Sequence, residues 1–135
     1  MKTNNDFKYD LKVGQQKENE LASILSDSTL EVKYDRYSNN LFFIEFYKKL
    51  KNGKYKRTGL SKTEANYYAL CKSNSFLIIP TSTLKNFLKS IFEEKKKVGF
   101  KLKDMVMITG TYAVGIIIDL TELNNYLLKE RETNI

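Results

Sequence analysis

The sequence predicts an α/β protein in which helices cover both faces of a mixed β-sheet. Short apolar runs rich in β-branched and aromatic residues indicate strands, and longer stretches whose apolar residues recur with helical spacing indicate helices. The two kinds of segment alternate along the chain, as in layered α/β architectures. With 135 residues, of which 41% are hydrophobic, the chain suits one domain, with a core over residues 10–93 and an extension over 100–135.

The first helix is predicted over residues 14–25, after a polar segment of residues 1–12 that is expected to be extended or loose. Its apolar stripe is formed by Leu21, Ala22, Ile24 and Leu25. Because successive residues lie about 100° apart around a helix, Glu18 is predicted on the core side, roughly 40° from the centre of the stripe. Gly14 shares that face, where a missing side chain lets another backbone or a ligand come close.

The first two strands are predicted over residues 29–36 and 41–48, and each carries a carboxylate within an apolar run. Asp35 lies near the end of the first strand, and Glu45 lies in the middle of the second. A charge in such a setting is costly unless a partner or a cation compensates it. The two carboxylates therefore indicate a candidate metal site.

The turn between these strands predicts a hairpin, whose register decides whether the two carboxylates share a face. A three- or five-residue loop keeps Asp35 and Glu45 on one side, roughly 5–8 Å apart between Cβ atoms, with Lys33 or Asp35 opposite Glu45. A two-residue turn of Asn39 and Asn40 separates them. The alternative to a metal site is a cross-strand salt bridge in which Lys33 neutralises Glu45.

The remaining elements follow in chain order. A short third strand over residues 55–58 precedes a helix that begins at the capping-box spacing of Ser61 and Glu64 and ends near Lys72. The later predictions are a buried strand over 76–79, an amphipathic helix over 84–92, strands over 105–108 and 113–118, and a helix over 120–129 capped by Asp119 or Thr121.

The composition excludes several classes of chemistry. The chain has no histidine and one cysteine, Cys71, which removes Ser-His-Asp and Cys-His nucleophiles and Cys/His zinc sites. An enzyme of this composition would rely on carboxylates and lysines, as in magnesium-dependent phosphodiester cleavage. Lysine and arginine exceed aspartate and glutamate by 23 to 16, a net charge of +7, which favours an anionic partner such as nucleic acid.

The sequence also bears on location. The first residues lack the apolar stretch of a signal peptide, and no apolar run approaches the ~18 residues that a membrane span requires. One cysteine in the whole chain argues against an extracellular disulfide scaffold. We therefore expect a soluble, cytoplasmic protein without a membrane partner.

Several short segments carry a resemblance to a known family. The segments are Asp10-Leu11, Gly14-Gln15-Gln16-Lys17-Glu18, Glu31-Val32-Lys33-Tyr34-Asp35, Asn40-Leu41-Phe42-Phe43-Ile44-Glu45-Phe46, Thr58-Gly59-Leu60-Ser61-Lys62-Thr63-Glu64-Ala65 and Leu77-Ile78-Ile79-Pro80-Thr81. With an acid in the first helix and acids on the next two strands, this order resembles the PD-(D/E)XK nuclease superfamily, most closely its small phage-encoded endonucleases of the junction-resolvase type. The resemblance covers roughly residues 10–85.

This resemblance implies a fold and an activity. The fold would have a restriction-endonuclease-like αβββαβ core, with the last strand pair and helix added to it. The activity would be that of a Mg²⁺-dependent endodeoxyribonuclease, with Mn²⁺ as a substitute. Asp35 and Glu45 would bind the metal, and Glu18 would contact the metal or its waters. The location would be the host cytoplasm if the chain is phage-encoded.

The catalytic lysine is where the chain departs from the family. That lysine usually follows the second-strand acid by two positions, and Tyr47 stands there. Lys33 is the best replacement, as the group that positions or helps to deprotonate the attacking water, and Lys56 on the third strand is the next. A competing alignment takes Glu31-Val32-Lys33 as the acid-x-lysine element, but Asp27, its upstream acid, is too close for a hairpin to intervene.

The resemblance further implies branched or structured DNA as the substrate. Cutting a junction requires two symmetric nicks, so a homodimer is expected. Candidate DNA contacts are Lys56 and Arg57 on the third strand, and Lys62 and Thr63, whose helix start either holds a phosphate or is a plain cap. The alternative function is a catalytically inactive nuclease-fold module that binds nucleic acid or a protein partner, for which Tyr47 is the best support.

Overall fold

The computed structural model describes residues 4–26, 29–99 and 105–133. Its helices are α1 (Asn4–Ser26), α2 (Thr81–Lys97) and α3 (Leu120–Thr133). Its strands are β1 (Leu30–Tyr34), β2 (Leu41–Lys49), β3 (Tyr55–Arg57), β4 (Tyr67–Cys71), β5 (Phe76–Pro80), β6 (Val106–Ile108) and β7 (Ala113–Asp119). A short 3-10 helix spans Gly59–Ser61.

The strands of the described chain form two sheets. β4 lies at the centre of a three-stranded sheet, parallel to β1 on one side and antiparallel to β5 on the other. β2 and β7 form the centre of a four-stranded antiparallel sheet whose outer strands are β3 and β6. The α/β class is therefore confirmed, but the strands divide between two sheets where one was expected.

A buried cluster joins both sheets to α2 and α3. Leu84, Phe87 and Leu88 form the buried stripe of α2, at the spacing that the sequence predicts. β4 contributes Tyr68 and Leu70 from one of its faces. The other fully buried members are Phe42, Ile44, Leu60, Ile79, Ile116, Ile118 and Leu123. Burial of this shared apolar surface is what holds the two sheets together.

The first helix is longer than predicted. α1 begins at Asn4, so the expectation that residues 1–12 are extended or loose is wrong for residues 4–12, and residues 1–3 lie outside the described residues. Among the described residues, no other element makes extensive contact with this helix. Packing on the rest of the described chain therefore does not account for its length.

The apolar stripe of α1 is mostly uncovered. Ile24 is buried, but Leu21 and Leu25 are exposed. Leu11, nearer the start of the helix, is exposed as well. Glu18 is exposed too, so the prediction that it faces the core is wrong. The spacing identified the stripe correctly, but spacing alone cannot tell whether an apolar face packs within the chain.

The predicted hairpin between the first two strands does not form. β1 pairs in parallel with β4, and β2 pairs with β3 and β7. Ile118 lies beside Phe42, and Ile116 lies beside Ile44, so β7 gives β2 apolar partners along its buried face. Such cross-strand pairs stabilise a sheet, and β1, whose inward face carries charges, cannot supply them.

The helix expected from Ser61 to Lys72 is also wrong. This segment contains only the last residue of the 3-10 helix and then β4, which lies between β1 and β5 with its central residues buried. The position at the centre of a sheet overrides the capping-box spacing, because the aromatic and apolar residues of β4 are buried there. The αβββαβ order is therefore not observed, since five strands separate α1 from α2 in the described chain.

The second half of the chain agrees with prediction. β5, α2, β6, β7 and α3 all occur at the expected places. Asp119 caps α3, because its Oδ1 accepts a hydrogen bond from the Thr121 N–H at 2.7 Å. Between the two caps considered, the structure thus selects Asp119.

Candidate functional site

A cavity of about 420 Å³ lies where the end of β1 faces β2 and β4. Lys33, Asp35 and Glu45 all line it, together with the aromatic rings of Phe42 and Tyr68. We call it the acidic cavity. The structure therefore brings three predicted site residues to one place, although their strands belong to different sheets.

Asp35 is held in this cavity by a lysine that sequence reasoning did not single out. Lys72 Nζ lies 3.2 Å from Asp35 Oδ2, and the two side chains are only 12% and 17% exposed. Asp35 Oδ1 accepts a hydrogen bond from the Tyr37 N–H at 2.8 Å. Lys72 also donates to the carbonyl oxygens of Tyr37 and Leu41 and to Asn39 Oδ1.

These contacts compensate the Asp35 charge. A largely buried carboxylate is tolerated when a cation and a backbone donor satisfy it. Lys72 and the Tyr37 N–H fill that role at short distances. The cost of burying Asp35 therefore does not by itself require a metal ion.

Lys33 and Glu45 are not paired with each other. Lys33 Nζ lies 3.0 Å from Glu31 Oε1, its neighbour two positions earlier on the same face of β1. The predicted alternative, in which Lys33 neutralises Glu45, is therefore wrong. Glu45 is half-buried and lies beside Gly115 of β7, at the point where a bulge shifts the register of β2. Within the described ranges it has no salt bridge.

A buried tyrosine forms part of the same cavity. Tyr68 is 1% exposed, and its hydroxyl has no partner of hydrogen-bond geometry among the described residues. Burial raises the pKa of Tyr68 to about 12; the charges of Glu31 and Glu45 add to this, and the nearby Thr63 hydroxyl opposes it in part. A buried phenol that stays protonated thus lies within electrostatic reach of Glu31 and Glu45.

The remaining predicted ligand, Glu18, is not at this site. It is exposed on α1 and does not line the acidic cavity. Across residues 4–26, 29–99 and 105–133, no group of three or more histidine, cysteine, aspartate or glutamate side chains is arranged to hold a metal ion. The cavity therefore offers two carboxylates, of which Asp35 already has a cation.

A second charged feature lies at the end of β2 that is remote from the acidic cavity. Residues 46–63 contain seven lysine and arginine residues and no acidic residue. All seven side chains are exposed; they are Lys48, Lys49, Lys51, Lys54, Lys56, Arg57 and Lys62. We call residues 48–62 the basic hairpin. The rest of the chain holds sixteen basic and sixteen acidic residues, so this hairpin accounts for the whole net charge.

The residues predicted to contact DNA do not all lie on one surface. A shallow recess of about 500 Å³ on the basic hairpin is lined by Lys56, Arg57, Ser61 and Lys62. Thr63 instead points inward and accepts a hydrogen bond from the Ala65 N–H at 3.1 Å. The predicted phosphate site at the start of a helix is therefore wrong, because no helix begins there.

Tyr47, at the place of the family's lysine, faces a different recess from Glu45. That recess, of about 580 Å³, has an apolar floor that includes Phe46, Tyr47 and Phe92. Basic residues contribute to its lining as well; they are Arg57, Lys85, Lys89 and Lys96. The two-residue spacing does not keep Tyr47 with Glu45, because the bulge lies between them.

Comparison with known proteins finds no match. This holds for models of protein families, for curated proteins and for solved structures. In addition, no helix in the described part of the chain combines the length and the apolar character needed to cross a bilayer. The function must therefore be argued from this chain's own geometry.

Sequence reasoning missed two features that now matter most. Lys72 follows an apolar run, and its role depends on the pairing of β4 with β1, which no local pattern indicates. The basic hairpin, in contrast, was open to detection, because a stretch of eighteen residues without an acid is visible in the sequence itself. The net charge alone does not reveal that the excess of basic residues lies in one segment.

Proposed function

We propose that the chain binds nucleic acid, in the first instance DNA, through the basic hairpin. The observation that carries this is the exposure of seven cationic side chains over residues 48–62 with no acidic residue among them. Lysine and arginine that neutralise phosphates release counterions, and this release drives binding to nucleic acid without sequence preference. The rest of the chain carries no net charge, so this segment supplies the net attraction for phosphates.

Aromatic side chains accompany the cations. Tyr55 lies between Lys54 and Lys56 on β3 and is 59% exposed, and Tyr112 is 53% exposed. Tyr112 lines a further recess of about 750 Å³ together with Lys48 and other hairpin residues. Bases of a single strand can stack on such rings while the lysines contact the backbone. This favours DNA with unpaired bases, such as a single-stranded stretch.

Binding is favoured over cleavage by the contacts in the acidic cavity. Asp35 is neutralised by Lys72, and Lys33 is neutralised by Glu31. Glu18 lies elsewhere. A nuclease would need these groups to change partners before they could hold a metal and activate water, whereas the basic hairpin needs no rearrangement.

Metal-dependent DNA cleavage is the second candidate, and one observation favours it: Lys33, Asp35 and Glu45 line one cavity. Mg²⁺ is often held by only one or two carboxylates, with substrate phosphates and waters completing its shell. Asp35 and Glu45 would be those ligands, and the metal would lower the pKa of a bound water. Lys33 would act on the proton or the charge of that water. The dimer expected for symmetric nicking belongs to this candidate.

The binding proposal is tested with two variants of equal net charge. Lys54→Gln/Lys56→Gln removes two cations from the basic hairpin, and Lys97→Gln/Lys129→Gln removes two exposed cations from α2 and α3. Affinity for a labelled single strand, a duplex and a four-way junction is measured by fluorescence anisotropy. We expect the hairpin variant to lose at least about tenfold in affinity and the control less than about twofold. Equal losses would contradict the proposal.

The cleavage candidate is tested separately. Wild type, Asp35→Asn, Glu45→Gln and the control Glu64→Gln are incubated with supercoiled plasmid and with a four-way junction, in Mg²⁺ and in Mn²⁺. Circular dichroism checks that each variant is folded. Cutting by wild type and Glu64→Gln that both other variants lose supports the cavity as the site. Binding without cutting by wild type rejects this candidate and leaves the binding proposal intact.

A further inference from the structure

α1 is a long helix whose apolar stripe is largely uncovered by the rest of the described chain. It spans Asn4–Ser26 and has no extensive contact with another described element. Leu11, Leu21 and Leu25 are 59%, 47% and 62% exposed. Helices in proteins gain most of their stability from packing of an apolar face, and glycine within α1 lowers its intrinsic stability. Such a helix gains stability when its apolar face is covered.

The uncovered face has the spacing of a coiled-coil seam. Leu11, Gly14, Glu18, Leu21 and Leu25 follow one another at intervals of three, four, three and four residues. This alternation keeps all five on one stripe of a helix that pairs with another. In the sequence the same spacing extends four residues back, to Phe7.

Gly14 and Glu18 determine which orientation of a partner helix the seam tolerates. In a parallel pair of two copies, Glu18 would meet Glu18, and Gly14 would face Gly14 across a gap. Like charges in a seam repel, and the gap forfeits packing. In an antiparallel pair centred on Gln16, Glu18 of one copy lies over Gly14 of the other, where the missing side chain leaves room for the longer one. Leu11 then packs on Leu21.

The charges along α1 favour the same orientation. In a pair centred on Gln16, residues 17–26 of one copy lie beside residues 6–15 of the other. Residues 17–26 carry Lys17, Glu18 and Glu20, a net charge of −1, and residues 6–15 carry two lysines and two aspartates, with no net charge. An antiparallel pair therefore keeps the two acidic halves apart, whereas a parallel pair places them together; it also opposes the two helix dipoles favourably.

We propose that α1 pairs with α1 of a second copy of this chain as an antiparallel two-helix coil. The seam is self-complementary in this orientation: an apolar pair flanks each Gly14–Glu18 contact, and the two acidic halves lie apart. The pairing does not depend on nucleic-acid binding, so either proposal can fail while the other stands.

The association is measured by analytical ultracentrifugation over a concentration series. Leu21→Gln/Leu25→Gln removes apolar side chains from the seam, and Val98→Gln/Leu128→Gln removes apolar side chains elsewhere that are 86% and 50% exposed. We expect a wild-type dimer at micromolar concentration, a dissociation constant raised at least tenfold in the seam variant, and no more than a twofold change in the control. A monomeric wild type, or equal changes in both variants, overturns the proposal.

The orientation is tested by disulfide trapping in a Cys71→Ser background. In an antiparallel pair, residues 11 and 21 of different copies meet, whereas two copies of residue 11 lie roughly 15 Å apart along the helix. Mild oxidation of mixed Leu11→Cys and Leu21→Cys chains should therefore give a cross-linked heterodimer. Leu11→Cys alone should not cross-link. Efficient self-cross-linking of Leu11→Cys would establish the parallel arrangement and overturn the antiparallel one.

Discussion

Lys72 is the residue on which the form of the acidic cavity depends. Its ammonium group lies 3.2 Å from Asp35 Oδ2 and donates to three further oxygens in the turn that links β1 to β2. It also lies 5.5 Å from the centre of the Phe42 ring, a favourable cation–π distance. One side chain thus ties the end of β4 to the β1–β2 turn and so joins the two sheets at this point.

Replacing Lys72 with methionine should therefore destabilise the fold. The substitution keeps the aliphatic stem but leaves the largely buried Asp35 without its cation and removes a donor from three oxygens of the turn. We expect a loss of about 2–4 kcal/mol in the free energy of unfolding, measured by urea denaturation. Lys17→Met, at an exposed ion pair with Glu20, should change it by less than about 0.5 kcal/mol. Similar effects of both substitutions would contradict the role of Lys72.

Tyr68 gives the molecule a specific response to alkaline pH. Because its pKa is raised from 10.0 to about 12 in the fold, its contribution to stability is complete below pH 10 and is lost as the pH rises towards 12. Tyr68→Phe removes an unpaired buried hydroxyl, so at pH 7 it should change stability by less than about 1 kcal/mol. We expect the wild type to lose more stability than this variant between pH 9 and pH 11.5, as measured by urea unfolding. Parallel losses would refute the assignment.

At the level of elements, the position of the 3-10 helix depends on a close contact between its backbone and the backbone of β2. The Phe46 carbonyl, at the bulge, accepts hydrogen bonds from the Thr58 N–H and from Ser61 Oγ. Gly59 has a φ of +53°, and a Cβ there would lie 2.2 Å from the Glu45 carbonyl oxygen. The position therefore requires glycine for both its backbone conformation and its space.

Gly59→Ala should accordingly lower the stability of the fold strongly. We expect a loss of about 3 kcal/mol or more, because the backbone strain adds to a clash that only movement of β2 relieves. Gly53→Ala is the matched control, since Gly53 has a φ of +82° but nothing within 4 Å of an added Cβ. It should cost only about 1 kcal/mol from strain. Thermal unfolding of both variants would test this, and equal costs would show that the contact with Glu45 does not matter.

The elements that could be predicted are those that local pattern specifies. The stripe of α2 and the apolar runs of β5 and β7 are periodic over their own length, and they appear where expected. β4 was mistaken for a helix because the spacing of Ser61 and Glu64 is a local signal, whereas the burial of β4 is a consequence of its partners. The pairing of β1 with β4 was missed for the same reason, since it joins residues over thirty positions apart.

For the whole molecule, part of the candidate site was predictable. Asp35, Glu45 and Lys33 were expected together and do line one cavity, although through a contact between sheets and not through a hairpin. Glu18 was placed by periodicity on an apolar face, correctly, but that face packs on nothing in the described chain. Periodicity identifies a face, and only tertiary structure tells what covers it.

If both proposals hold, the dimer carries two basic hairpins and should bind long DNA more tightly than either hairpin alone. Linking two sites raises the effective concentration of the second. Leu21→Gln/Leu25→Gln should therefore lose roughly tenfold or more in affinity for a long strand but bind a short oligonucleotide as wild type does. Binding to both lengths at several protein concentrations would be compared by anisotropy. An equal loss on both lengths would argue against an avidity effect.

The measurement that tests the central claim most directly is the salt dependence of DNA affinity. Binding by the basic hairpin predicts that log K falls steeply with log salt, with a slope of roughly −3 to −6 for seven available cations. The slope should become shallower by about 1–2 in Lys54→Gln/Lys56→Gln and should stay unchanged in Lys97→Gln/Lys129→Gln. A slope near zero in the wild type, or the same change in both variants, would contradict binding by this segment.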